Sequence, residues 1–144
     1  MNKRVRRIRG FSLVELMVVI AIIAILAAIA VPAFGRYAFR ARRADGQELL
    51  LRIANAQERF YATNNHYGSL SDIGYGSTVA SEKGYYVARV DVASGSTSAQ
   101  TFVATATPQN VQATDSCQPL TINDAGVKTP LATSTSSAVN GACW

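Results

Sequence analysis

Residues 16 to 31 read Leu-Met-Val-Val-Ile-Ala-Ile-Ile-Ala-Ile-Leu-Ala-Ala-Ile-Ala-Val without a polar side chain, and this run constrains the fold more than any other feature. From Leu13 to Phe34 the apolar segment is broken only by Glu15 and Pro32. As a helix it spans about 33 Å, enough to cross a bilayer's hydrocarbon core. Lys3, Arg4, Arg6, Arg7 and Arg9 precede it and no base lies within it. The cytoplasmic bias of Lys and Arg therefore places the N-terminus inside, and everything after Arg36 outside the cytoplasm.

Those five bases also explain the net charge of +5, because the remaining nine of the fourteen basic residues are matched by nine acidic ones. The charge belongs to a leader segment rather than to a binding surface, which weakens any inference to acidic partners. The two cysteines, Cys117 and Cys143, enclose a stretch of mostly Thr, Ser, Ala and Gly. On the extracytoplasmic side such a pair reads as a disulfide, whose loop closure contributes about 3 to 4 kcal/mol. A metal site is the competing reading, but two thiols without a nearby histidine make a poor one.

Three readings compete for the apolar segment. It could be a plain signal anchor, or a secretory signal peptide cut after Ala28-Ile29-Ala30, just before Val31. Neither accounts for Glu15, since a carboxylate inside such a segment costs up to about 3 kcal/mol near mid-bilayer. The third reading starts from Arg9-Gly10-Phe11-Ser12-Leu13-Val14-Glu15-Leu16, which resembles the class III signal of type IV prepilins and pseudopilins. The resemblance implies cleavage between Gly10 and Phe11 by a prepilin peptidase and N-methylation of Phe11. It also implies assembly into a filament through Phe11 and Glu15. The new α-amino group is largely protonated at neutral pH, and burying it among apolar helices requires an anion such as Glu15. The pair would act as a register device, because a misplaced helix leaves a charge unpaired.

Pro32 removes a backbone hydrogen bond near the end of the run, and with Gly35 it marks either a helix kink or a boundary between two helices. From Tyr37 to about Asn64 the pattern stays helical and turns amphipathic, with Leu49, Ile53, Ala56 and Phe60 on one face. Glu48 and Arg52 are spaced as a pair on the polar side. Arg36, Arg40, Arg42 and Arg43 could meet lipid phosphates or neighbouring subunits, or simply snorkel at a membrane edge. The composition from 65 to 84 reads as a connecting loop, and His66 as a surface residue.

Tyr86, Ala88, Val90 and Val92 mark one face of an alternating segment, as do Phe102, Ala104 and Ala106. These are two half-buried strands joined through Ser94-Gly95-Ser96-Thr97-Ser98 as a hairpin. Leu120-Thr121-Ile122 offers a third strand, Asn123-Asp124-Ala125-Gly126 a turn, and Val127 to Thr129 a short fourth. A calcium loop at Asp124 has too few acidic ligands.

The expected fold is α+β: a long N-terminal helix packed on a three- to four-stranded antiparallel sheet with a C-terminal disulfide-bounded loop, as in pilins. The divisions are a leader 1–10, a transmembrane and filament-core helix 11–35, and a globular domain 36–144. That domain comprises an amphipathic helix 36–64, a loop 65–84, a sheet 85–130 and a disulfide-bounded region 117–143. Gln57-Glu58-Arg59-Phe60-Tyr61, Asn64-Asn65-His66-Tyr67, the stretch from Cys117 to Gly126 and Cys143-Trp144 look like the small PilE-like minor pilins.

The resemblance implies a pilus subunit serving twitching, adhesion or DNA uptake, with a secretion-system pseudopilin as the alternative. Its partners would be other pilin subunits, the prepilin peptidase, the inner-membrane assembly platform and membrane lipid. Some pilins bind DNA, but no basic stripe interleaved with aromatics is legible here. No nucleophile-base set, phosphate loop or metal-ligand spacing occurs, so neither an enzyme nor a cofactor is expected.

Overall fold

The computed structural model describes residues 11–93, 99–130, and 143 and 144, with the side chain of Ala33 excepted. Gly10 and the leader before it, the Ser94 to Ser98 connection and the tail after Pro130 up to Ala142 lie outside the described residues. The chain divides into two compact units, one ending at Gly35 and one from Arg36 to Trp144. Helix α1, Leu13–Asn64, contributes to both.

In the first unit the helix carries apolar side chains on every face, from Leu13 (73% exposed) to Val31 (70%). It is long and apolar enough to cross a membrane by length and composition. The helical assignment continues through Pro32, so the reading of two separate helices is set aside.

In the second unit α1 supplies one wall of the core and ends at Asn65, whose left-handed backbone (φ 60°) lets its N–H bond the Tyr61 carbonyl at 2.7 Å. Leu49, Ile53 and Ala56 are buried as their spacing predicts, while Phe60 is only half-buried. Leu50 and Gln57 join them, so the buried stripe is wider than the apolar spacing alone marks. Glu48 and Arg52 stay exposed and form no ion pair with each other.

The opposite wall is an antiparallel sheet in sequence order: β1 (Val79–Ala80), β2 (Tyr86–Val92), β3 (Phe102–Pro108), β4 (Leu120–Asn123) and β5 (Lys128–Thr129). The register aligns Ala88, Ala106 and Leu120 across the sheet, and likewise Val90, Ala104 and Ile122. Ala88, Ala104 and Ala106 are fully buried, so small sheet side chains lie in one core with the large Leu49, Leu50 and Ile53 of the helix. Among the described residues five strands are present where three to four were expected. The additional β1 falls inside the 65–84 segment read as loop; two residues are too few to display a strand period.

The 123–126 turn forms as read: Gly126, at φ 72°, donates to the Asn123 carbonyl at 2.9 Å, and the Val127 N–H donates to the Asn123 side-chain oxygen. A 3-10 turn, Asn110–Thr114, was not legible beforehand.

Candidate functional site

The N-terminal stretch holds the residues that the leader motif singles out. Phe11 is 81% exposed, and every large hydrophobic residue from Leu13 to Ile29 that follows it is exposed by 42% or more. An apolar surface this continuous has to be covered by lipid or by other helices, since water-soluble monomers do not present one. Ser12 lies just before α1, and its carbonyl accepts the Leu16 N–H at 3.2 Å. Glu15 therefore sits in the first turn, at the positive end of the helix dipole, where an anion gains about 0.3 to 1 kcal/mol. Ser12-Leu13-Val14-Glu15 also has the spacing of a capping box. This local role was overlooked in the sequence, although the pattern that signals it is present. Pro32 leaves the Ala28 carbonyl without its helical donor, and a Cβ on Gly35 would meet nothing within 4 Å.

The globular unit is organised around a charge that the sequence pattern misplaced. Arg43, grouped above with bases facing lipid or other subunits, is 1% exposed. Its guanidinium forks onto Asp115, Nε to Oδ2 and Nη2 to Oδ1, both at 2.6 Å. Gln112 donates to Asp115 at 2.8 Å and to the Tyr86 hydroxyl at 3.1 Å, and the Cys117 N–H reaches Asp115 Oδ1 at 3.3 Å. One carboxylate thus ties the helix, the 3-10 turn and the first cysteine together, although Arg43 and Asp115 are distant in sequence. The reason is steric as well as electrostatic. Gly46 brings the Tyr86 ring so close that a Cβ there would lie 2.8 Å from ring atoms, which holds the helix against β2 beside Arg43.

The cysteines form the expected disulfide, Cys117–Cys143, with Cα atoms 5.4 Å apart. Cys143 is also tied to the helix, because the Gln47 amide donates to its carbonyl at 2.8 Å. Arg43 and Gln47, one turn apart, thereby fasten both ends of the bridge. Trp144 Nε1 donates to the Thr129 carbonyl on β5 at 2.8 Å, and the Lys128 ammonium lies 5.1 Å from the indole centroid. Asp45 accepts the Lys83 and Tyr85 N–H groups, and Arg42 stacks 5.3 Å above the Tyr85 ring. Of the four bases read as one cluster, only Arg36 and Arg40 remain exposed.

Burial pushes the Tyr86 phenol up to about 12, the Gln112 hydrogen bond working in the opposite direction. The folded value exceeds the ordinary one near 10, so Tyr86 stabilises the fold fully below pH 10 and loses that contribution as pH rises toward 12. Unfolding midpoints measured between pH 9 and 12 should fall with pH, and fall less steeply in Tyr86→Phe. An equal slope in both would contradict this assignment. Among the described residues no group of three or more His, Cys, Asp or Glu is placed to hold a metal.

Comparison with known proteins follows this geometry. The family described as type IV minor pilin ComP, DNA uptake sequence receptor, matches residues 32–121. The prokaryotic N-terminal methylation motif matches residues 5–31. Among solved structures the chain is similar to a type IV pilin from Shewanella oneidensis, at 28% identity and a TM-score of 0.52, over 74% of this chain and 97% of that one. A search of curated proteins finds no match. With a family match over more than half its length, an N-methylation motif before it and a pilin as structural neighbour, this chain belongs to the ComP family of type IV minor pilins.

Proposed function

We propose that the chain is made as an inner-membrane precursor, cut between Gly10 and Phe11 by a prepilin peptidase, N-methylated on Phe11, and passed by an assembly platform into a pilus. There it serves as a minor subunit that binds DNA for uptake. The family match over residues 32–121 carries this reading, because it covers the globular unit from Arg36 into β4. The pseudopilin alternative lacks such support.

Within the filament Glu15 meets the α-amino group of Phe11 on a neighbouring subunit, in addition to complementing its own helix dipole. Glu15→Leu should still insert into the membrane yet be missing from filaments sheared off the cells. Normal incorporation of this variant would remove the register role.

DNA contact fits a small number of cations, since residues 11–144 are net neutral. Lys128 and Trp144 form the kind of cation and aromatic pair that a linear scan for a basic stripe misses. The test is selection of a random-sequence DNA duplex pool on the purified full-length chain in detergent. Enrichment of one recurring motif supports a receptor. Two or three phosphate contacts would give affinity falling with a log–log salt slope of about −2 to −3. Failure to retain or enrich any duplex would leave the chain a filament subunit without a DNA role.

A further inference from the structure

Within the globular unit, the side of α1 turned away from the core is exposed at Glu48, Leu51, Arg52, Asn55, Arg59 and Ala62. Arg52, Asn55 and Arg59 recur at spacings of three and four, which sets them in one row along this side. Among the described residues none of these three side chains has a hydrogen bond or an ion pair. The acid beside Arg59, Glu58, instead accepts the Tyr67 hydroxyl at 3.0 Å. From Arg52 to Arg59 the helix rises about 10 Å, the axial length of about three base pairs of DNA.

A major groove about 12 Å wide admits an α-helix, and few side-chain types read the base edges within it. Arginine forks onto the two acceptors of guanine, and asparagine onto the donor and acceptor edge of adenine. Leu51, 41% exposed and one turn before Asn55, offers an apolar contact for the thymine methyl of the same pair. Glu48 continues the row one turn before Arg52. A carboxylate there repels phosphate but can accept from a cytosine amine, so the row suits base edges better than the DNA backbone. We propose that this face of α1 enters the major groove and reads an A·T pair between two G·C pairs, Arg52 and Arg59 on the guanines and Asn55 on the adenine. It rests on the DNA-binding reading above and adds to it the residues that choose sequence, which phosphate contacts do not.

The test selects a random-sequence duplex pool on the full-length chain in detergent. The enriched duplex and its single-base-pair variants are then titrated against the wild type, Arg52→Lys, Arg59→Lys and Asn55→Ala. Lysine keeps the charge but loses the fork. Each lysine variant should therefore lose about 10-fold of the discrimination at one G·C pair, with the salt slope unchanged. Asn55→Ala should lose about 10-fold at the A·T pair between them. A uniform loss of affinity across all duplexes would make the arginines phosphate contacts and overturn the proposal. If the wild type enriches a motif and all three variants keep its preference at every position, the reading face alone is overturned. The same result with the variants missing from sheared filaments would make the face a subunit contact instead. If the wild type enriches no duplex, the DNA reading fails and the reading face with it.

Discussion

Replacing Asp115 by alanine is expected to destabilise the globular unit by about 3 to 5 kcal/mol, because it leaves the Arg43 guanidinium buried without its anion. The cost is not the worth of one ion pair. It includes the desolvation of a charge at 1% exposure and the loss of the oxygens that also receive Gln112 and the Cys117 N–H. The control is Arg43→Met with Asp115→Leu, which removes both charges and should recover most of the loss. Denaturant midpoints of the full-length chain in detergent measure both variants. If Asp115→Ala unfolds at the wild-type midpoint, Arg43 is not held as described.

The second large effect belongs to the disulfide. Cys117→Ser with Cys143→Ser should lower stability by about 3.5 kcal/mol, the loop-closure entropy expected for a sequence separation of 26. The same loss should appear in the wild type under reducing conditions and should be absent from the double variant. The two effects are coupled, since Asp115 holds the Cys117 N–H and Gln47 holds the Cys143 carbonyl. Combining Asp115→Ala with loss of the disulfide should therefore cost less than the sum of the separate losses.

Features carried by periodicity or by a local motif were legible in the residues alone. The apolar run, the helix face of Leu49, Ile53 and Ala56, the alternation in β2 and β3, the Asn123 to Gly126 turn and the Cys117–Cys143 pairing all depend on near neighbours or on compartment. What remained hidden depends on contacts distant in sequence. Arg43 looked like one of four equivalent bases, because nothing near it in sequence announces a carboxylate as far along the chain as Asp115. Gln57 was invisible as a core residue for a related reason. Its amide is buried but satisfied, donating to the Gly68 carbonyl at 2.6 Å and accepting the Gly68 N–H at 3.1 Å. His66, read as a surface residue, is half-buried edge-on to Phe60, with ring centroids 5.5 Å apart. Lys128 and Trp144 meet only because the disulfide returns the chain's end to β5. Of the candidate site, the N-terminal methylation motif was legible in the sequence, while the latch of Arg43, Asp115 and Gln112 was not.

The central claim is that this chain enters a filament as a processed pilin. Its most direct test is the N-terminal residue and intact mass of the chain recovered from sheared filaments, compared with the chain in cells lacking the prepilin peptidase. An N-methylated Phe11 start in filaments, with uncut precursor in the peptidase-deficient cells, is the result this account predicts. A start at Val31, or a chain absent from the filament fraction, would contradict it.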